Sequence, residues 1–312
     1  MLHDLLPPDL RGPATTITPI AAGLSGAGVH RVDAAGQSFV LKVAGENESA
    51  IDWRRALHVQ RLAAEAGVAP RIVHVDEAAR AVLTAFVTDR SFATFYRAPA
   101  TSRAALALLG DTVRRVHAIP PPADAEPSEP GGLLRRVWSE FLADFAVPPF
   151  VQEALQRVLD AETGDRERPR VLSHNDLNPT NLTYDGRTIW VLDWAASGLN
   201  DPFYDLATLA MFLRMDDETV RGLFSAYEGR AIDAIPARFA DVRRLTRVLV
   251  GSLQIHLARQ MKHPGFTGAE ADAPSPSLGE FYAGLQTGAW RLGTPEGQWA
   301  FGLALFKESL AG

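Results

Sequence analysis

Strand-like and helix-like segments are segregated along this chain of 312 residues. Before residue 88, short β-branched and apolar runs alternate with turn residues, and one helical segment interrupts them. After residue 88, apolar residues recur mainly at helical spacing. Strands grouped at one end and helices at the other are typical of an α+β fold, in which an antiparallel sheet and the helices occupy separate parts.

The predicted elements divide the chain into a small antiparallel-sheet N-lobe, 1–88, and a larger, mainly helical C-lobe, 89–312. The N-lobe has five predicted strands, 15–20, 29–33, 38–43, 71–75 and 81–87, and one helix, 50–66. The C-lobe has a strand-and-loop island at 171–194 and eight predicted helices, 102–117, 133–145, 151–162, 203–213, 218–227, 237–262, 278–290 and 295–310. A cleft between two such lobes is a common place for a ligand.

Composition excludes several classes of function. The net charge is -6 and no basic run stands out, which disfavours a nucleic-acid partner. There is no cysteine, so disulfides, thiolate metal sites and cysteine nucleophiles are excluded. No apolar segment is long enough to predict a signal peptide or a membrane span. We therefore expect a cytoplasmic protein with no membrane partner, and its oligomeric state stays open.

The most informative motif runs from Ser173 to Asn181 and has the form H-x-D-x-x-x-x-N. This is the spacing of a kinase catalytic loop, in which the aspartate accepts the proton of the acceptor hydroxyl. Asp176 is the predicted catalytic base, and His174 is expected to hold the loop backbone. A predicted hairpin, with strands at 182–184 and 188–192 around a turn at 185–186, would return Asp193 to this loop. Asn181 and Asp193 together then offer the oxygen ligands that Mg²⁺ prefers.

Lys42 is the third element of the prediction. It is one of only three lysines, and it follows a glycine-rich loop and a strand. A lysine there can reach the phosphates of ATP, whereas a lone lysine on a strand is more often a solvated charge. Within the loop, the backbone of Gly26 and the hydroxyl of Ser25 are candidate phosphate donors. A Walker phosphate loop, a hydrolase G-x-S-x-G elbow and an H-E-x-x-H zinc motif are all absent from the sequence.

These residues resemble the aminoglycoside phosphotransferase and choline kinase superfamily, and the bacterial choline/ethanolamine kinase-like branch in particular. The resemblance is strongest from Ser173 to Asp193 and through the segment 200–207. It implies a bilobal protein-kinase-like fold, with the N-lobe binding ATP and the C-lobe carrying catalysis and the acceptor. It also implies that Phe86 and Thr88 belong to the hinge beside the nucleotide, and that Asp205 braces the catalytic loop.

One position departs from the family pattern. The family often pairs the strand lysine with a glutamate of the following helix, and Ala56 stands at the corresponding place here. Glu48, Glu65 and His58 are the candidates to replace that glutamate.

The resulting hypothesis is an ATP- and Mg²⁺-dependent kinase that phosphorylates a hydroxyl of a small, amine-bearing molecule, with choline or ethanolamine favoured. An aminoglycoside or amino-sugar kinase is the first alternative. A protein kinase is disfavoured because no D-F-G and no activation segment follow the catalytic loop. A nucleotide-binding pseudokinase without turnover is the alternative from another class, and the choice between ATP and GTP stays open.

Overall fold

The computed structural model describes residues 2–20, 27–46, 48–123, 125–161, 169–268 and 275–311. Packing divides the chain into two compact units, each made of two segments. The first unit comprises Met1–Pro127 and Arg170–Asp233, and the second comprises Ser128–Pro169 and Ala234–Gly312. The predicted lobe boundary at residue 88 falls inside the first unit, so the two lobes stay a prediction.

A five-stranded antiparallel sheet forms the start of the first unit. Its strands are β1 (Thr16–Pro19), β2 (Gly28–Ala34), β3 (Gln37–Val43), β4 (Ile72–Asp76) and β5 (Ala81–Ala85), in the order β1-β2-β3-β5-β4. Ala35 and Gly36, which join β2 to β3, both have positive φ angles, the requirement of a tight hairpin turn. Strand alternation then buries Phe39 and Leu41 on one face and places Lys42 on the other.

Each face of the sheet is covered by a different element. On one face, Leu6 and Leu10 pack with Leu41 in a buried cluster. Leu10 belongs to a short 3₁₀ turn, Pro8–Leu10, and Leu6 directly follows another, Leu2–Leu5. The sequence had predicted no element before residue 15. On the other face, Trp53 and Leu57 pack against Val82.

Trp53 and Leu57 belong to helix α1 (Ala50–Glu65), which begins and ends as its sequence predicts. The hydroxyl of Ser49 accepts the backbone N–H of Asp52 and so caps the first turn. The helix stops at Gly67, whose φ of 67° lets the backbone adopt the left-handed conformation that closes a helix.

The described residues in the rest of the first unit form short strands and several α-helices. Strand β6 (Val171–Ser173) pairs with β9 (Gly198–Asn200), and β7 (Leu182–Tyr184) pairs with β8 (Ile189–Val191). The helices are α2 (Phe92–Arg97), α3 (Ser102–His117), α6 (Pro202–Phe212) and α7 (Asp217–Glu228). The predicted bounds of α3 and of β7 match the structure, whereas α2 and β9 were not predicted.

The second unit is helical throughout its described residues. It contains α4 (Pro130–Arg136), which continues into a π-helical turn (Val137–Phe141), then α5 (Pro149–Ala161), α8 (Phe239–Gln260), α9 (Leu278–Thr287) and α10 (Pro295–Ala311). The predicted single helix over 133–145 is therefore wrong in part. Helix α9 stops before the predicted residue 290, because Gly288 has the left-handed conformation of a helix end.

The small antiparallel sheet and the many helices confirm the predicted α+β class. Aromatic residues of the second unit that could have lined a ligand pocket are core instead: Phe281 is fully buried and Trp299 is 4% exposed. Of the helices that the structure describes, none combines the length and the apolar character that a membrane crossing requires.

Candidate active site

The catalytic-loop motif begins at the end of β6 and is anchored by the buried ring of His174. The Nε2 of His174 lies 2.9 Å from the carbonyl oxygen of Leu192, which can only accept, so Nε2 is the donor. In the neutral ring Nδ1 is then an acceptor, and it receives the backbone N–H of Asp176 at 3.3 Å. The histidine thereby ties the loop to the strand that leads to Asp193.

Asp205, in the first turn of α6, holds the same loop through hydrogen bonds, and we call this set of contacts the latch. Its carboxylate accepts the backbone N–H groups of His174 at 2.9 Å and Asn175 at 2.8 Å, and it lies 3.0 Å from Nε2 of His117. Burial pushes the pKa of Asp205 up, but the hydrogen bond and charge of His117, with the backbone hydrogen bond from His174, outweigh it. The net pKa lies below its usual value.

His117 extends this buried network to α7. Its Nδ1 lies 3.0 Å from the hydroxyl of Tyr227, and the two rings meet edge to face. Burial, with the charges of Glu228 and Asp205, raises the pKa of Tyr227 to about 12, so the phenol keeps its proton. The backbone of the catalytic loop is therefore connected, through Asp205 of α6 and His117 of α3, to Tyr227 of α7.

The carboxylate of Asp176 is held by two side-chain amides. Asn178 donates to Oδ1 at 2.9 Å, and Asn181 donates to Oδ2 at 2.9 Å and to the Asp176 carbonyl at 2.9 Å. Each carboxylate oxygen can accept more than one hydrogen bond. The geometry therefore fixes the orientation of Asp176 and keeps acceptor capacity for a substrate hydroxyl.

Asp193 lies next to Asn181 through the β7-β8 hairpin. The backbone N–H of Leu192 donates to the Asn181 carbonyl at 2.9 Å, and Asp193 has a φ of 58°, in the left-handed region. A non-glycine residue held there is uncommon and often marks a functional position.

The donor set at this point suits Mg²⁺. The Asn181 amide nitrogen is occupied by Asp176, so its oxygen is the atom available to a metal, beside the carboxylate of Asp193. Among the described residues, no cluster of three or more His, Asp or Glu side chains forms a competing metal site. Both predicted ligands stay predictions, and the chemistry of their oxygens fits the ion.

Lys42 reaches this centre from the sheet. Its Nζ donates to Oδ1 of Asp193 at 2.7 Å, across 151 residues of sequence. A small pocket of about 60 Å³ beside it is lined by Ala56 and Glu48, among other residues. Of the candidate partners for Lys42, His58 and Glu65 are exposed, whereas Glu48 lines the pocket. The partner that the structure shows is Asp193.

The remaining predicted nucleotide-binding residues have different outcomes. Phe86 follows β5 and is half-buried, with its N–H donating to the Ser38 carbonyl at 3.1 Å. Thr88 is exposed in the connection to α2. Ser25 and Gly26 lie outside the described residues, so their predicted role stays a prediction.

Sequence reasoning missed several polar residues that build the site. Asn200, at the end of β9, donates its side-chain amide to the Asn175 side chain at 2.8 Å, and Asn175 donates to the Ala196 carbonyl at 2.9 Å. Asn175 has a φ of 65°, and asparagine tolerates that conformation better than most residues. The concentration of asparagines in the motif was the available signal for these loop-shaping contacts.

Comparison with known proteins is consistent with this geometry. The model of the phosphotransferase enzyme family, APH, matches residues 16–240. A choline/ethanolamine kinase family protein from Mesorhizobium loti superposes with a TM-score of 0.65 at 21% identity, covering 95% of this chain and 94% of that chain. The aminoglycoside-3'-phosphotransferase of type VIII superposes with a TM-score of 0.56 at 23% identity, covering 77% and 95%. At these identities the likeness shows the fold alone.

A curated sequence relative matches locally. Protein LicA of Haemophilus influenzae is 37% identical over 54 residues, which is 17% of this chain and 20% of that protein. The match thus spans about a fifth of the length of this relative.

Proposed function

Since the chain belongs to the phosphotransferase enzyme family and is a small-molecule phosphotransferase, we propose that it transfers the γ-phosphate of ATP to a hydroxyl of a small amine-bearing molecule. The observation that carries this proposal is the carboxylate of Asp176, held by two amides beside the Lys42–Asp193 pair. A base, a cation for phosphate and an oxygen pair for Mg²⁺ are the parts that phosphoryl transfer requires.

Asp176 accepts the proton of the acceptor hydroxyl. The acceptor oxygen then bonds to the γ-phosphorus, while the bond between the γ-phosphorus and the departing ADP oxygen breaks. Asn178 and Asn181 keep the carboxylate aligned for this proton transfer. Lys42 contributes positive charge where the phosphate oxygens gather. Asn181 and Asp193 would hold Mg²⁺, which neutralises charge on the phosphates when bound.

The choline- or ethanolamine-like acceptor is the finer part of the proposal. It is supported by the fold likeness to the Mesorhizobium loti protein, which covers nearly the whole chain, and by the local match to LicA, because the LicA of Streptococcus pneumoniae is described as a choline kinase. An aminoglycoside or amino sugar is the second candidate, supported by the shared fold of the aminoglycoside phosphotransferase.

A coupled ADP-release assay with Mg-ATP tests the proposal across amino alcohols, amino sugars and aminoglycosides, with Asp176→Asn as the control. We expect release that depends on one class of acceptor and disappears in the variant. ADP release only with aminoglycosides would make an aminoglycoside, and not an amino alcohol, the acceptor. Mg²⁺-dependent ATP binding without release for any acceptor would instead favour a nucleotide-binding pseudokinase.

A further inference from the structure

Arg31 lies on the same face of the sheet as Lys42, one step along the strands. The strand register places Val29 opposite Lys42, and Arg31 opposite Val40. Side chains two residues apart on a strand share a face and lie roughly 7 Å apart, at about 3.3 Å per residue. Arg31 and Val40 therefore extend the surface on which Lys42 stands, and both are half-buried.

Helix α1 covers part of this face. Trp53 and Leu57 pack against Val82, which is opposite Lys42 in the register, and Ile72 packs against the same cluster. Arg31, Val40 and Thr84 lie one row along from Lys42 and outside that cluster. A nucleotide whose phosphates meet Lys42 can therefore place its nucleoside part over this row.

The guanidinium of Arg31 is fixed in place there. It forms a bidentate pair with Asp33, with Nε at 2.9 Å from Oδ2 and Nη2 at 2.9 Å from Oδ1, and Nη2 also donates to Ser38 at 3.0 Å. Its carbon Cζ lies 4.7 Å from the centre of the Phe86 ring. The pair with Asp33 raises the pKa of Arg31, so the group is charged while its charge is locally balanced.

We propose that Arg31, held by Asp33 and Ser38 and backed by Phe86, is a specificity-determining residue that binds the nucleoside base by planar stacking. This inference rests on the proposed function, because it requires the phosphates at Lys42. The guanidinium plane stacks on aromatic rings, and 43% of the Arg31 side chain is exposed and available for such a contact. Because Asp33 balances its charge, Arg31 acts on the base rather than on the phosphates.

Calorimetric titration of the full chain with Mg-ATP and with Mg-tripolyphosphate separates base from phosphate binding. Replacement Arg31→Ala should weaken ATP binding by about fivefold to thirtyfold, the range of a cation–π contact, and leave tripolyphosphate binding within about twofold. Arg31→Lys should weaken ATP nearly as much, because lysine keeps the charge but lacks the plane. Arg61→Ala, an exposed position on α1 with the same change of charge, is the matched control.

Four results would overturn the inference. Equal loss of ATP and tripolyphosphate binding would make Arg31 a phosphate contact. Full recovery in Arg31→Lys would make charge, not stacking, the cause. Unchanged ATP binding in Arg31→Ala would show that Arg31 does not contact the base. The proposed kinase function would be unaffected by that result. Absence of ATP binding in the unmodified protein would overturn the function and the inference together.

Discussion

The two ends of the candidate site differ in how firmly their side chains are held in place. The catalytic loop is held from several sides by buried groups, with Asp205 bonded to two loop amides and to His117. Lys42 forms an ion pair with Asp193, and both side chains are about one-third exposed. The predicted base is therefore preorganised by the fold, whereas the predicted phosphate-binding end is arranged around a partly solvated contact.

This difference shows where the protein can respond to ligands. A buried carboxylate with three partners gives the loop one conformation, which costs nothing further when substrate binds. Asp193, in contrast, is the partner of Lys42 in the structure and the predicted metal ligand. We infer that metal and phosphate binding rearrange the Lys42 end and leave the loop unchanged.

Of the substitutions that probe this difference between the two ends, Asp193→Asn should have the largest effect. The substitution removes the charged metal ligand and the partner of Lys42 together, so kcat/KM should fall roughly 1,000-fold, or about 4 kcal/mol of transition-state stabilisation. Activity measured during a Mg²⁺ titration checks this. Asp160→Asn, an exposed carboxylate on α5, should behave like the unmodified protein. A variant at Asp193 with ordinary Mg²⁺ dependence would refute the metal assignment.

Disrupting the latch tests the preorganised end. Asp205→Asn leaves a buried network with mismatched partners and should lower the free energy of unfolding by about 3 kcal/mol, measured by urea denaturation. The pKa of Asp205 is depressed in the fold, so its contribution is present above the unfolded-state pKa and lost as pH falls through the folded value. The penalty should therefore be constant from about pH 7 to 5 and shrink only below about pH 4. A penalty that vanished at neutral pH would show that the latch is not formed.

A smaller effect is expected at the amide beside the base. Asn178→Ala removes one of the two bonds that orient Asp176, and kcat should fall about tenfold while ATP affinity is retained. Thr180→Ala is the matched comparison, because it removes the Thr180 hydroxyl that donates to Asn178 but leaves the bond from Asn178 to Asp176 in place. Equal losses in the two variants would assign the effect to loop shape and not to the carboxylate.

The smallest effect is expected for a substitution in the pocket beside Lys42. Ala56→Glu places a carboxylate in the pocket beside Lys42, so Asp193 should be released for the metal. The Mg²⁺ concentration for half-maximal activity should fall about twofold to fivefold, as expected for a partly exposed ion pair. Ala56→Gln fills the same space without charge and should show no gain. A higher Mg²⁺ requirement would mean that the new carboxylate repels Asp193.

Local patterns predicted the elements whose sequences carry their own signals. Helix α3 has its predicted bounds because apolar periodicity runs to His117, where Pro120 prevents continuation. The β7-β8 hairpin was predicted from two short strands around the turn at 185–186. The family and the enzyme class were recognised from the stretch 173–193 and the segment 200–207, because phosphoryl transfer restricts the residue types of the catalytic motif strictly.

Contacts between distant segments could not be predicted. The Lys42–Asp193 pair joins two residues that are 151 positions apart, and nothing local to either residue specifies it. Strand β9 has three residues and no alternating apolar pattern in its sequence, so it forms through its pairing with β6 and a bridge from Leu199 to Pro127. The 3₁₀ turns near Leu6 form because the open face of the sheet needs apolar cover, which is a property of the folded sheet.

The most direct test of the central claim is single-turnover phosphoryl transfer by Asp176→Asn with Mg-ATP and the acceptor identified in the ADP-release assay, combined with ATP binding by calorimetry. Asn178, Asn181 and Lys42 are unchanged in this variant, so ATP affinity should stay within about threefold. The transfer rate should fall about 100- to 10,000-fold, the usual contribution of a general base. Transfer at the rate of the unmodified protein would contradict the assignment of Asp176 as the base.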